Sequence, residues 1–261
     1  MRCGFGLFVG SVLLATSAVA LCQAPQTGLS FSVIAIHRSK PESRGGFIKP
    51  MPNGTGYLVQ NFTVKGMMSV VYRIPSRQIS GGPDWFDREN FDVEAKADDT
   101  HNIDELHTMF KNMLADRFGL KFHIAMKPGA VYELIVDKAG VKMKADPAGG
   151  GVNIPIMPDG QGRFVGTRVP MEYLCWYLGQ QMRSDARPVI GKTGLVGVYD
   201  FTLSFMPDLP PGVSTDDLPP ELQKLPALQD AVEEQLGLKL VPAKGPVPNY
   251  VIDRVDQPSA N

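Results

Sequence analysis

The chain has 261 residues, 43% hydrophobic and 20% charged, enough apolar material to close one good-sized core or two small ones. Its net charge of -1 supplies no field that would draw a phosphate backbone, and no run of five Lys or Arg occurs, so nucleic acid is excluded as an expected partner. The 27 glycines and 22 prolines fall short of a disordered composition and cluster where turns would sit.

The opening segment, MRCGFGLFVGSVLLATSAVALCQAP, sets Arg2 before an apolar stretch from Phe5 to Ala15 and then the small-x-small triplet of Ala18, Val19 and Ala20. Residues 1–24 are therefore expected to be a secretory signal peptide, removed after Ala20 or Ala24. As a permanent anchor the stretch is too short and has no basic stop-transfer flank. A lipoprotein reading would use Cys22, but Leu21 stands where a small residue is expected. Cleavage removes Cys3 and leaves at most Cys22 and Cys175, so no disulfide framework is implied. No later apolar run reaches spanning length, and the mature chain is expected to be periplasmic or secreted, with no membrane span.

Further along, NIDELHTMFKNMLADRFG carries Ile103, Leu106, Phe110, Met113, Leu114 and Phe118 on one helical stripe, opened by an Asn102/Glu105 capping box and closed by Gly119. Alternation through Leu120, Phe122 and Ile124 then predicts a strand, Pro128-Gly129 predicts a turn, and VYELIV predicts a second strand. The plan recurs near the C-terminus, with a helix from Pro226 to Gly237 and strands at LKLV and NYVIDRV. Gly119, Leu120, Lys121, Pro128 and Tyr132 reappear at Gly237, Leu238, Lys239, Pro246 and Tyr250, all shifted by 118 residues.

Upstream, GYLVQNFTVKGMMSVVYRIPSRQISGG aligns with GRFVGTRVPMEYLCWYLGQQMRSDARPVIG, and NFDVEAKA with VYDFTLSF, where Asp92 and Asp200 take the polar face of their strands. The expected fold is α+β, with two tandem, internally duplicated halves, each strand, helix, strand, strand, helix, strand, strand. The halves are placed at residues 25–150 and 151–261, joined through the loop ADPAGGGVNIPIMPDG at 145–160.

The segments FSVIAIHRSKP, QISGGPDWFDRENFDVEAKA, MLADRFGLKFH, PVIGKTGLVGVYDFTLSF, LQDAVEEQLGLKL and GPVPNYVIDRVDQPSAN resemble the markers of an exported protein family abundant in soil acidobacteria and catalogued as a domain of unknown function. The resemblance runs from Leu29 to Asn261. It implies a bacterial envelope or secreted protein, with some relatives fused to membrane metallopeptidases of the antibiotic-sensor type, and it implies no reaction. The helix ending in Gly-Leu before paired strands is also similar to the small modules at the periplasmic mouths of secretins and TonB-dependent receptors, which bind other proteins; this is a likeness of architecture alone.

No catalytic, cofactor-binding or metal-binding set emerges from the residues. GKTG at Gly191 to Gly194 lacks the glycine of a phosphate loop, since Ala186 stands there, and it runs into a strand. Beside SDA it is similar to penicillin-recognising enzymes, but no Ser-x-x-Lys occurs. Asp98, Asp99, His101, Asp104 and His107 are ligand types for zinc, yet the two histidines lack the i, i+4 spacing of a helical site; a polar linker into a capped helix accounts for them. His37 and His123 have no partner by spacing, and Cys175 reads as a buried thiol inside the apolar helix MEYLCWYLG.

The segment SGGPDWFDREN sets Asp84, Trp85, Phe86 and Asp87 in a loop, and these four are the candidate binding residues. The competing reading folds Trp85 back over the core. A second irregular segment, MPDLPPGVSTDDLPPELQKLP, is Pro-rich and acidic and reads as a connector. The function expected is a non-enzymatic envelope module that recognises a protein or small ligand. The alternative is an extracytoplasmic hydrolase using acids such as Asp84, Asp87, Asp92 or Asp200, which requires at least two of them in one pocket.

Overall fold

The computed structural model describes residues 28–147, 154–159, 163–182, 185, 187–209 and 212–258. The expected signal peptide and the middle of the 145–160 loop lie outside the described residues.

The first elements are β1 (Val33–Arg38), β2 (Phe47–Pro50), β3 (Gly56–Thr63), α1 (Val64–Val71), β4 (Ile79–Gly81), α2 (Trp85–Arg88), β5 (Asn90–Lys96), α3 (Ile103–Arg117) and β6 (Lys121–Val136). They are followed by β7 (Lys144–Asp146), β8 (Ile156–Pro158), β9 (Phe164–Pro170), α4 (Met171–Gln181), β10 (Val189–Gly191), β11 (Val198–Leu203), α5 (Pro220–Gln223), α6 (Leu228–Ala231) and β12 (Leu238–Arg254). Helices and hairpin-spaced strands are mixed throughout, so the fold is α+β.

Among the described residues three four-stranded sheets form, in the orders β1-β5-β3-β2, β10-β6-β12-β4 and β7-β11-β9-β8. In the central sheet β6 and β12 are antiparallel along their whole length, from Leu238 opposite Val136 to Arg254 opposite Lys121. Each then receives a short parallel strand on its outer edge: β10 pairs with β6, and β4 pairs with β12. An early strand is thus completed by the last one, and a late strand by an early one.

The turn expected at Pro128-Gly129 is not formed; β6 runs straight through it, and LKLV and NYVIDRV are likewise one strand. Pairing explains why proline does not end either strand. Pro128 lies opposite Pro246, and neither can donate, so this is a position whose backbone groups point away from the partner. Pro242 and Pro248 lie at an even number of residues from Pro246 and share that outward orientation. Hydrogen bonds fix the parity independently, since Tyr132, opposite Pro242, donates its N–H outward to Pro188 O at 2.8 Å. All four prolines therefore remove only donors the ribbon does not use.

Helix α3 begins as expected, with the Asn102 side chain accepting from Glu105 N and the Glu105 carboxylate accepting in turn from Asn102 N. The helix expected from Pro226 differs. Only Leu228–Ala231 is α-helical, and Val232–Leu236 winds as a π-helix before Gly237 at φ 68°. The wider turn carries Gln235 to Ser204, where its amide pairs with both the backbone N–H (2.9 Å) and the C=O (2.8 Å), extending the edge of β11.

Among the described residues two apolar cores pack against the central ribbon, one toward each end. One gathers Tyr57, Met67, Phe91, Phe110 and Phe118 with Ile252 and Val255 from the C-terminus. The other gathers Leu174, Leu178, Phe201, Phe205 and Leu236 with Tyr132 and Leu134 from β6. Burial on this scale is the main stabilising term, at roughly 25 cal/mol per Å² of apolar surface removed from water. Each core borrows from the other half of the chain, so neither is completed by one contiguous stretch.

Candidate functional site

A cleft of about 600 Å³ opens between the turn after α1, helix α4, strand β10 with the loop that follows it, and the middle of β12. Local sequence dictates each wall. Thr63 caps α1 by accepting from Gly66 N, and the helix ends where Arg73 takes the left-handed conformation, φ 54°. Arg73 N then bonds Val70 O at 3.1 Å, Ile74 N bonds Ser69 O at 2.9 Å, and Ser69 Oγ donates to Ile74 O at 2.6 Å. Glycine is the usual residue at such a position, because a side chain there costs about 1–2 kcal/mol. Arg73 occupies it and turns its side chain inward, to 14% exposure.

The Arg73 guanidinium pairs with Asp104 at the start of α3 and lies over the Tyr173 ring of α4, 5.4 Å from its centroid. It joins three elements distant in sequence. A second arginine, Arg77, does not line the cleft but ties the turn after α1 to the later segments, donating to Gly179 O at 3.4 Å and Arg187 O at 3.3 Å, and partial burial lowers its pKa. From α4, the residues Met171, Glu172, Cys175, Trp176 and Gly179 line the cleft at spacings that fall on one helical face. The opposite face, with Leu174 and Leu178, fills the second core.

The polar lining of this cleft has an unusual feature. Among the described residues four buried side-chain nitrogens or oxygens have no hydrogen-bond partner: Arg73 Nε, Gln78 Nε2, Trp176 Nε1 and Tyr177 Oη. The first three belong to residues that wall the cleft. Each orphaned polar atom costs about 1–3 kcal/mol of desolvation, so three around one cavity are a concentrated expense in stability. The apolar side consists of Ile74, Val189, Ile190, Leu195, Pro248 and Tyr250. At the mouth, Val196 is 90% exposed.

The residues expected to bind from the loop at Asp84 to Asp87 lie elsewhere. Phe86 is 1% exposed in the first core, which removes it as a surface anchor. Trp85 is half-buried and stands edge-on to Phe86 (6.5 Å) and Phe91 (6.2 Å), and the pair is wound into α2. Asp84 and Asp87 stay at the surface, 3.5 Å from Arg88 and 2.8 Å from Lys65 respectively.

The acids considered for hydrolysis do not converge. Asp92 accepts from Ser39 Oγ (2.7 Å) and Asn61 N (2.8 Å), and Asp200 accepts from Arg168 N (2.8 Å). In both places the donor residue is left-handed, Asn61 at φ 50° and Arg168 at φ 51°, at an irregularity in the strand pairing. These carboxylates hold bulges in shape. None of Asp84, Asp87, Asp92 and Asp200 lines the cleft.

Other reactive side chains are likewise occupied structurally. Burial pushes the Cys175 thiol up to about 12, so it carries no thiolate character near neutral pH. His107 is buried with Nε2 2.8 Å from Tyr57 Oη, while His101 meets Glu105 at 3.2 Å and His123 meets Asp253 at 2.8 Å. Among the described residues no three His, Cys, Asp or Glu side chains gather to hold a metal ion. No helix among them is long and apolar enough to cross a membrane.

Sequence reasoning passed over Arg73, Gln78 and Trp176. An arginine at the end of VVYRIPS, where glycine would terminate the helix, was the available signal. Trp176 lies within the apolar helix MEYLCWYLG, where the sequence offers its indole N–H no partner.

No curated protein and no solved structure matches the chain. The family described as "Protein of unknown function (DUF3738)" matches residues 65–255, a span that takes in every wall of the cleft and both strands of the central ribbon, and the chain belongs to that family.

Proposed function

We propose that the protein is an exported, non-enzymatic binding protein of the bacterial envelope, and that the cleft walled by Arg73, Gln78 and Trp176 is its recognition site. The observation that carries this reading is the gathering of three unpartnered buried donors around one partly apolar cavity. Dispersed carboxylates and a protonated thiol favour binding over hydrolysis. The leader-like segment at residues 1–24 supports export.

The scaffold is read as a duplication with units at 25–150 and 151–261. Supporting the duplication are the matching strand orders of the two outer sheets, in which β7 (Lys144–Asp146), inside the first unit by those bounds, joins the sheet of the second, together with the paired bulges at Asp92 and Asp200 and the position of Pro128 opposite Pro246. Under the 118-residue shift those two prolines are each other's equivalents, as the centre of a two-fold exchange requires. The cleft forms where the units meet, and its lining is asymmetric.

Gly191→Phe tests the site. A Cβ at Gly191 would stand 3.4 Å from Cys175 Sγ, so the ring has to turn out into the cleft. In a Trp85→Phe background, where Trp176 is the reporter, the parent is expected to bind the neutral dye phenylnaphthylamine with energy transfer from Trp176, and the Gly191→Phe variant to lose that signal while keeping its circular dichroism. Equal transfer in both proteins would place the dye elsewhere and sink the assignment.

A further inference from the structure

Building on the reading of the cleft as the recognition site, we propose that its ligand is a small organic monoacid with an apolar body, its carboxylate held by Arg73, Gln78 and Trp176. The three unpartnered atoms are all N–H donors, so the group that completes them is an acceptor. An amine would set donors against donors. Gln78 is 6% exposed and the Arg73 side chain 14%, so an acceptor that reaches them recovers a desolvation loss the empty protein already bears. Each nitrogen is itself shut off from solvent, so binding requires the Arg73, Gln78 and Trp176 side chains to turn toward the cavity as the carboxylate enters.

Charge distinguishes a carboxylate from a neutral carbonyl. Arg73 is permanently cationic, and Asp104 takes its Nη2 while the Nε edge stays free. Lys111 adds a second cation near it, packed 5.0 Å over the Tyr72 ring and close enough that Arg73 lowers its pKa after burial does. Glu172 lies exposed at the rim and repels a second negative charge, which selects a monoacid over a diacid. The remaining lining, with Ile74, Val189, Ile190 and Leu195, is hydrocarbon, and about 600 Å³ accommodates a chain or ring of modest size.

The test uses the full chain carrying Trp85→Phe, which leaves Trp176 as the reporter, titrated with octanoate, octanol and octylamine. Octanoate is expected to bind about tenfold or more tighter than octanol, with octylamine weakest, as one or more hydrogen bonds to a charged group require. Gln78→Leu should weaken octanoate about tenfold, weaken octanol distinctly less, and raise the melting temperature of the ligand-free protein by removing an orphaned donor. Gln78→Met serves the same purpose if leucine disturbs folding, which circular dichroism reports. Octanoate binding no tighter than octanol, or unchanged by both Gln78 variants, would overturn the monoacid while the dye signal of Trp176 still upholds the cleft. Loss of every response, dye included, would overturn both.

Discussion

Acidification should destabilise this protein through one histidine. His107 is 5% exposed, hydrogen-bonded to Tyr57 Oη at 2.8 Å, and faced by the cations Arg73 and Lys111. Burial first, then Arg73 and Lys111, push its pKa down to about 3 from the 6.5 of a free imidazole. Above pH 6.5 neither the folded nor the unfolded chain is protonated there, and the group contributes no pH dependence. Between pH 6.5 and about 3 the unfolded chain takes up a proton that the fold refuses, so stability falls as pH falls. Each pH unit in that window removes about 1.4 kcal/mol, hence about 2 kcal/mol at pH 5, out of a total that is roughly 5–15 kcal/mol for a domain. His107→Gln keeps a partner for Tyr57 and cannot titrate. Urea unfolding at pH 7.5 and pH 5 should show wild type losing about 2 kcal/mol more than the variant. Equal losses in the two proteins would refute the assignment, because carboxylates elsewhere act on both alike.

The two helix-ending glycines should differ in their tolerance of alanine. At Gly119, φ 57°, a Cβ would lie 2.5 Å from the movable Asp256 carboxylate, so Gly119→Ala should cost about the 1–2 kcal/mol of a left-handed alanine. At Gly237, φ 68°, it would overlap the backbone oxygen of Gly140, and Gly237→Ala should cost clearly more; equal urea midpoints would contradict this. Asp92→Ala should lower stability by about 2 kcal/mol, through loss of the bonds from Ser39 and Asn61, and Asp200→Ala by less, having lost the bond from Arg168. Octanoate affinity should be unchanged in both, and a large loss of affinity would reopen a functional role for these acids.

Much of the fold was legible because its signals are local. The capping box at Asn102, the stripe from Ile103 to Phe118 and the stop at Gly119 all depend on residues within a few positions, and α3 forms accordingly. The Pro128-Gly129 turn failed for the opposite reason. In isolation the dipeptide bends a chain, but here β12, more than a hundred residues away, supplies a pairing in which proline's missing N–H is irrelevant. The π-helix before Gly237 likewise follows from a long-range demand, the bonds of Gln235 to Ser204. The cleft was hidden because its walls meet only in the folded chain. The aromatic loop at Trp85 drew notice as a cluster of surface-type residues, yet Phe86 belongs to the core. By contrast Arg73, Gln78 and Trp176 are scattered in sequence, and their shared property, a donor without an acceptor, exists only in three dimensions.

The pairing of β6 with β12 also sets an order on biosynthesis. During translation β6 emerges roughly a hundred residues before its partner, and β4 waits for the same final strand. Until the last segment leaves the ribosome, sixteen residues of β6 present an open edge, and the first core lacks Ile252 and Val255. Such non-local closure slows folding and exposes the nascent chain to aggregation, which makes a holding chaperone useful to it. A premature stop that removes β12 therefore does more than trim a terminus: it leaves both cores open at once.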